Sequence, residues 1–285
     1  ARTMTASPTL GARHSLEILK PIHNGLLLDG GSLGEVLLPS REVEGQNLGP
    51  GDSVLVTLYS DGQGRPMASL RAPRAQHGQV ASLKVVSTSK VGAFVDWGMP
   101  KDLLLPFAEQ KGPVREGDWV LVMITTDREG RLLVSAQLDR FLDDTSDDYQ
   151  QGDEVSLVAA HATDLGYKMV VDNRCWGMIA KQELRAPLRP GQRVTGYVHR
   201  LREDGKISLS LNPPGALKSE GLSEQIVAAL EAAGGELPLG DKSSPEAIFA
   251  TFRCSKNAFK QAIGGLYKER RIVIDKQSIR LTPQD

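Results

Sequence analysis

Cysteines and aromatic residues are scarce in this chain, and each scarcity argues against a class of protein. The 285 residues include two cysteines, Cys175 and Cys254, which lie far apart and have no ligand-spaced partner. A disulfide framework and a zinc motif are therefore not expected, and a reducing cytoplasm fits best. Aromatic residues make up 5% of the chain, against 29 glycines and 16 prolines. This composition favours several small domains joined by many turns.

Long apolar runs are also missing. No stretch approaches the ~20 apolar residues of a membrane span, and residues 1–15 lack the apolar segment of a secretory signal and look like a ragged tail. The net charge is −1, so a nucleic-acid partner would require local basic patches instead of an overall positive field. We expect a cytoplasmic protein with no membrane partner.

Signatures of catalysis and of metal binding are absent from the sequence. The segment GGSLGE (30–35) is not followed by the Lys-Ser/Thr of a phosphate-binding loop, and neither G-x-S-x-G nor H-E-x-x-H occurs. The five histidines show no ligand spacing, and the acidic stretch 139–154 is better interpreted as a solvated linker than as a calcium loop. The sequence therefore predicts a protein that is not an enzyme and has no catalytic residue, cofactor or metal site.

A pattern of strands repeats three times along the chain. Each copy ends in a β-hairpin with a glycine-containing turn, at 49–73, 115–137 and 189–212. A pair of apolar strands beginning at a glycine precedes each hairpin, at 24–42, 91–109 and 165–183. One more strand precedes the second and third copies, at 78–89 and 152–163. Five short strands in about 65 residues are typical of a small OB-type barrel; the alternative is three unrelated hairpins in a larger β-sandwich.

After residue 212 the pattern becomes helical. Amphipathic segments at 222–233, 243–252 and 255–270 are followed by a strand, a turn and a strand at 271–282. Ser223 is the predicted N-cap of the first helix. Three short helices followed by a hairpin are the order of a winged-helix domain.

The predicted fold is therefore mainly β with an α/β C-terminus: three tandem five-stranded OB-type barrels followed by a winged-helix domain. We expect the four domains at 1–73, 74–142, 143–212 and 213–285.

The second barrel carries a candidate RNA-binding site in the stretch KVGAFVDWG (90–98). Glycine within a strand often marks a bulge, and a bulge at Gly92 would let Val91 and Phe94 point to the same face. Phe94 would then be available to stack on a base. The charged candidates are Asp127 and Arg131 in the turn DREGR, for a base or ribose and a phosphate, and three lysines for further phosphates: Lys84, Lys90 and Lys101. The alternative is that Phe94 packs under a loop and the charges are solvated.

The winged helix carries a second candidate surface. Residues 253–280 include eight basic and two acidic side chains, whereas residues 220–246 include six acidic and one basic. A polar face of the third helix opposes its apolar face, and it would suit phosphates. The predicted contacts are Lys256, Asn257, Lys260, Lys268, Arg270 and Arg271. A solvated lysine face is the alternative.

The motif VGAFVDWG, followed by LLLP and DREGR, resembles the OB-type RNA-binding domain named after ribosomal protein S-one. Three such barrels and a winged helix resemble the bacterial conserved virulence factor B family, most strongly over 80–140 and 237–274. The resemblance implies RNA binding, with effects on the expression of other genes through their transcripts.

The resemblance also ranks the three barrels. In the second, Phe94, Asp127 and Arg131 match the motif, while Val91 and Pro106 replace another aromatic residue and a histidine. In the third barrel Leu165 and Lys168 take the aromatic positions and Lys206 keeps the positive charge; in the first, the corresponding residues are Asn24, Leu27 and Arg65. The second barrel is thus the better predicted RNA binder, and the first a spacer or protein-contact module.

We therefore expect a monomeric or weakly dimeric protein that binds single-stranded RNA and influences gene expression post-transcriptionally. An adaptor that docks on ribosomal or transcription components, with incidental RNA binding, is the alternative. A DNA-binding regulator is a third option, less consistent with barrels of this type.

Overall fold

The computed structural model describes residues 7–184, 186–213, 216–252 and 254–282, without the side chains of Gln182 and of residues 216–220. Its first five strands form a closed barrel in the order β1-β2-β3-β5-β4. A one-turn helix, α1 (Ser40–Val43), joins the third and fourth strands. The strands are β1 (Arg13–Ile22), β2 (Gly25–Asp29), β3 (Glu35–Pro39), β4 (Ser53–Ser60) and β5 (Pro66–Ser69).

The second five strands form a nearly closed barrel in the order β10-β9-β6-β7-β8. Just beyond the two end strands, the amide of Ala136 donates to the carbonyl oxygen of Glu109 at 2.9 Å. The strands are β6 (Val80–Ser89), β7 (Gly92–Asp96), β8 (Leu103–Pro106), β9 (Trp119–Thr126) and β10 (Leu132–Ser135).

The third five strands close into a barrel in the order β11-β12-β13-β15-β14. They are β11 (Glu154–Ala162), β12 (Gly166–Val171), β13 (Cys175–Ala180), β14 (Arg193–Leu201) and β15 (Ile207–Ser210). The prediction of three five-stranded barrels is confirmed, and the β-sandwich alternative is wrong.

The C-terminal region is a winged helix around a core that includes Ile226, Ile248, Phe259 and Ile263. The rings of Phe252 and Phe259 stack in this core with their centroids 5.6 Å apart. Its elements are α2 (Ala216–Ala232), β16 (Glu236–Leu237), α3 (Pro245–Phe252), α4 (Lys256–Lys268), β17 (Ile272–Ile274) and β18 (Ile279–Leu281). The sheet order is β16-β18-β17.

Two boundaries differ from the prediction. Helix α2 begins at Ala216, so Ser223 lies inside the helix and the predicted N-cap there is wrong. The serine preference of N-caps misled the prediction, because the helical register already continues through the buried Leu222. Strand β1 begins at Arg13, within the stretch interpreted as a tail, and buries Leu16 and Ile18 in alternation.

The predicted bulge at Gly92 is also wrong, because the extra residue lies in the partner strand. The ladder between β6 and β7 shifts between Val85 and Ser87, which makes Val86 the bulged residue, whereas Gly92 pairs regularly with Ser89. Gly92 has φ 147°, and a Cβ there would lie 2.3 Å from the carbonyl oxygen of Leu105. Glycine is therefore required for close approach of β7 to β8.

The same device recurs in the other barrels. A Cβ on Gly25 would lie 2.1 Å from the carbonyl oxygen of Leu38, and one on Gly166 would lie 1.9 Å from that of Ile179. The first strand of each of these barrels also shifts register, at Leu19 in β1 and at Ala160 in β11. The repeated glycine and bulge thus shape all three barrels alike.

The second and third barrels pack against each other through a shared apolar cluster. Asn173 accepts a hydrogen bond from the amide of Val80 at 2.8 Å, and Arg193 donates to the carbonyl oxygen of Val80 at 2.9 Å. The buried members of the cluster are Val80, Met123, Leu138, Leu142, Val158, Ala160, Val170 and Trp176. Within the described ranges, no helix has both the length and the apolar character required to cross a bilayer.

Candidate nucleic-acid interface

Phe94 lies on the outer surface of the second barrel. Its neighbours in β7, Ala93 and Val95, belong to the barrel core, whereas Phe94 is half-buried and does not. Ser87 on β6 and Leu104 on β8 pair with Phe94, and directly opposite residues of antiparallel strands share a face. The ring therefore points outward from the sheet, although Val91 lies outside the strand and the bulge is in β6.

Two of the three predicted lysines of this barrel lie free of ion pairs within the described ranges. Lys84 pairs in register with Asp96, two residues beyond Phe94 on the same outer face. The carboxylate of Asp96 is bound by Arg74 at 2.7 Å, which leaves the exposed Lys84 ammonium without that partner. Lys90 is exposed in the turn that joins β6 to β7. Both lysines are therefore available to bind phosphates of a nucleic acid that lies along the outer face of this sheet.

Lys101 is engaged elsewhere. Its ammonium group donates to the carbonyl oxygen of Asp61 at 2.5 Å, so it links the second barrel to the β4–β5 turn of the first. Its own carbonyl oxygen accepts from the indole of the fully buried Trp97 at 2.7 Å. Its contacts make Lys101 part of the contact between two barrels, and its role in RNA binding stays a prediction.

Asp127 holds the turn between β9 and β10. One carboxylate oxygen accepts from the amides of Glu129 and Arg131, both at 2.9 Å, and the other accepts from the Arg131 guanidinium at 2.7 Å. These bonds, led by the one from the Arg131 amide, hold the pKa of Asp127 below its usual value. The side chain of Arg131 remains 66% exposed. Glu129 also binds the guanidinium, at 3.0 Å from Nη1. Asp127 thus orients Arg131, whose Nη2 stays available to donate to a phosphate.

The third barrel brings Lys168 and Lys206 together in a groove of about 500 Å³. Lys168 pairs with His161 directly after the bulge of β11, just as Phe94 pairs with Ser87 directly after the bulge of β6. Lys168 and Phe94 therefore occupy equivalent positions in their barrels. Leu27 occupies the equivalent position in the first barrel. Basic residues outnumber acidic ones in the lining, which includes Lys168, Trp176, His199, Arg200, Arg202 and Lys206 together with Asp144 and Glu183.

The positive charge of the winged helix is partly neutralised by acids of the preceding segment. Lys260 forms an ion pair with Asp241 at 2.8 Å, and Arg271 forms one with Glu224 at 3.0 Å. The hydrogen bond from Lys260 is the main cause that lowers the pKa of Asp241. Among the described residues, four predicted contacts have no such pairing: Lys256, Asn257, Lys268 and Arg270. Arg253, one of the eight basic residues of this region, lies outside the described residues.

Sequence reasoning missed Trp119 of the second barrel and Trp176 of the third. Trp119 is 60% exposed at the start of β9, and Trp176 is buried in the cluster between the barrels. The signal was the unbroken apolar run 119–124, since a strand with one solvated face would alternate. Arg200 and Arg202 were missed because the bulge between Val198 and Arg200 changes which side chains face the groove.

No metal centre accompanies these surfaces in the described part of the chain, where no three histidine, cysteine, aspartate or glutamate side chains come close enough to bind an ion.

Comparison with known proteins assigns these domains to families. Residues 10–71 and 77–137 each match the S1 domain, and residues 224–281 match the CvfB-like winged helix domain. The S1 domains support a role in RNA binding, and neither family is enzymatic.

The likeness to named proteins extends over nearly the whole chain. Conserved virulence factor B of Staphylococcus aureus (strain USA300) and that of Staphylococcus haemolyticus are each 28% identical over 283 residues, which cover 96% of this chain and 94% of each relative. A crystal structure of a multidomain protein with nucleic acid binding domains from Streptococcus pneumoniae is 26% identical, covers 96% of this chain and 98% of its own, and has a TM-score of 0.39. The chain thus carries two S1 domains and a CvfB-like winged helix domain, and it is similar over nearly its whole length to conserved virulence factor B.

Proposed function

We propose that this protein binds single-stranded RNA on the outer face of its second barrel and influences gene expression through the bound transcripts. The observation that carries this proposal is the position of Phe94, whose ring lies outside the core in a barrel that matches the S1 domain. An aromatic ring on a solvated sheet offers a stacking platform that accepts any base, worth about 1–3 kcal/mol per base.

The charges around Phe94 suit the backbone of the same strand of RNA. Lys84 lies on the same outer face, Lys90 in the adjoining turn, and Arg131 in the turn between β9 and β10. Contacts of this kind recognise phosphates without regard to sequence and weaken as the salt concentration rises. We therefore expect modest base preference and a marked dependence of affinity on salt.

Replacement of Phe94 tests the proposal directly. Phe94→Leu keeps apolar bulk but removes the ring, so we expect affinity for a fluorescein-labelled single-stranded RNA to fall about 5- to 150-fold, as the loss of one stacked base implies. Fluorescence anisotropy measures the dissociation constant. Phe94→Tyr keeps the ring and is the matched control, expected to bind within about twofold of wild type because the stacking surface is retained. If Phe94→Leu binds RNA as tightly as wild type, this face is not the RNA-binding surface.

A protein-interaction adaptor is the second candidate, and the ion pairs of the winged helix favour it. Because Lys260 and Arg271 already bind acidic side chains, less free positive charge is left for phosphates than the sequence indicates. Affinity purification with and without nuclease separates the two functions. Ribosomal or transcription components that persist after nuclease treatment would indicate an adaptor, and their loss would indicate binding through RNA.

A further inference from the structure

A second groove lies where the second and third barrels meet. Its volume is about 510 Å³. The second barrel contributes Lys111 and Trp119, and the third contributes His161, Lys168 and Trp176. The apolar cluster behind it and the two hydrogen bonds to Val80 hold both walls in place. The groove is therefore a preformed feature of the paired barrels, and it adjoins the outer face of the second barrel that bears Phe94 and Lys84.

Three donors of this groove converge on one carboxylate. Lys111 lies 3.3 Å from Asp139 and Lys168 lies 3.6 Å from it. The indole N–H of the buried Trp176 also lies near Asp139, yet it makes no hydrogen bond of normal geometry within the described residues. Burial would raise the pKa of Asp139, but the lysines and this indole outweigh it and lower that pKa. The two lysines and the indole thus form a position for an anion, which the 62% exposed Asp139 carboxylate occupies. Asp118 also lines the groove.

An aromatic surface borders this anion position. Trp119 is 60% exposed and lies outside all the apolar clusters of the described residues. It pairs in register with Lys84 on β6, so its side chain is on the outer surface of the second barrel. An exposed indole next to convergent cations is a common arrangement for stacking a base while its phosphate is bound.

The groove continues onto the third barrel. Lys168 and Trp176 line both this groove and the basic groove of about 500 Å³ described above. The Lys168 ammonium lies 3.9 Å from the centroid of the Trp176 ring, a cation–π contact that fixes the lysine between the two grooves. Beyond it lie Arg200 and Lys206. Positive charge therefore follows one path from the junction across the third barrel.

We propose that a nucleotide of single-stranded RNA binds in this junction groove, with its phosphate in the place of the Asp139 carboxylate and its base on Trp119. The strand then continues past Lys168 towards Arg200. This inference rests on the proposed RNA binding and adds a separate site beside the Phe94 face, and it makes Asp139 an internal competitor of the RNA phosphate.

The sign of the Asp139 effect tests the inference. Asp139→Asn removes the competing charge, so affinity for single-stranded RNA should rise about two- to fivefold, the range expected from two exposed ion pairs. Asp147→Asn makes the same change in net charge in the same acidic stretch but away from the groove, and it is the matched control. Fluorescence anisotropy at several salt concentrations measures both. Asp139→Asn binding no more tightly than Asp147→Asn would overturn the inference.

Two further variants probe the other contacts. Trp119→Leu should weaken binding at least about fivefold whereas Trp119→Phe retains it, and Lys168→Met should lower the slope of log affinity against log salt by about 1. Trp119 is exposed, so its substitution leaves the folded barrels intact, as circular dichroism would verify. If Phe94→Leu weakens binding but all junction variants behave as wild type, the junction inference alone fails. If wild-type protein binds no RNA, both proposals fail.

Discussion

A Cβ on Gly92 would lie 2.3 Å from the carbonyl oxygen of Leu105 and 2.8 Å from the Cα of Pro106. Neither atom is the end of a flexible side chain, so the contact cannot be relieved without moving β8 away from β7. The φ of 147° adds strain for any residue with a side chain. The barrel that displays Phe94 therefore requires a residue without a Cβ, namely glycine, at position 92.

Gly92→Ala should accordingly destabilise the second barrel by about 1–3 kcal/mol. Gly112→Ala is the matched control in the same barrel, because a Cβ there meets no atom within 4 Å. Urea denaturation followed by circular dichroism measures both free energies of unfolding. Equal stability of the two variants would show that β7 and β8 separate without cost.

At the scale of single residues, the sequence predicted the right outcome for Phe94 for the wrong reason. The small residues before Phe94 correctly indicated an unusual strand with an outward ring. The bulge, however, lies at Val86 in the partner strand, and register between strands depends on a pairing that one strand does not reveal. Likewise, the motif identified Asp127 and Arg131, but the turn geometry that makes Asp127 a support for Arg131 appears only in the folded hairpin.

Among the secondary-structure elements, a buried serine and a glutamate tie the ends of the second barrel together. The hydroxyl of Ser135, at the end of β10, is fully buried and donates to Glu109, just after β8. Arg140 binds the same carboxylate at 2.8 Å. In the first barrel Ser69 donates to Glu42 at 2.7 Å. Burial opposes ionisation of Glu109, but the bonds from Ser135 and Arg140 prevail and lower its pKa.

Glu109→Gln should therefore lower the free energy of unfolding at pH 7 by about 1–2 kcal/mol, because hydrogen bonds to a charged group are lost. A carboxyl whose pKa is lowered on folding stabilises the protein above its unfolded pKa and loses that contribution as the pH falls. The difference in free energy of unfolding between wild type and variant should thus narrow as the pH falls below the ordinary glutamate pKa of 4.5. Denaturation at a series of pH values measures it, with the exposed Glu116→Gln as control. A gap that stays constant down to pH 3 would contradict this role.

The hairpins, the paired strands before them and α3 and α4 were predictable because turn residues, caps and periodicity are local signals. Ser255, for example, accepts from the amide of Ala258 at 3.2 Å and caps α4 as a serine in that place should. Strand β1 and the first turns of α2 were missed. Both segments lie N-terminal to the first turn, cap or periodic pattern that the sequence offers in their region. Strand β1, for example, is formed by pairing with β2 and β4, which lie further along the chain.

For the whole molecule, the docking of the second barrel on the third was not predicted. Val158 and Val170 pair on the outer face of the third barrel and are buried only because the second barrel covers them. The order of strands along a chain does not tell which outer faces meet. The groove at the junction therefore lay beyond sequence reasoning, although each of its residues is visible in the sequence.

Val170→Asp should open this junction, because an unpaired charge in an apolar contact costs several kcal/mol and the barrels can avoid it by separating. We expect the radius of gyration from small-angle X-ray scattering to rise while the β-sheet signal in circular dichroism is retained. Leu165→Asp, at a position 77% exposed in the same barrel, is the control. An unchanged radius of gyration would show that the barrels do not depend on this contact.

The shared position of Leu27, Phe94 and Lys168 has a consequence for how such a protein can change over evolutionary time. The glycine and the bulge maintain the backbone, while the outward position carries an aliphatic, an aromatic or a cationic group in successive barrels. A single amino-acid substitution at this outward position can then change which ligand group the barrel binds while the fold is retained. The three barrels thus offer three equivalent outward positions on the same backbone. Transferring the side chain of one position to another is a direct route to a redesigned binding protein.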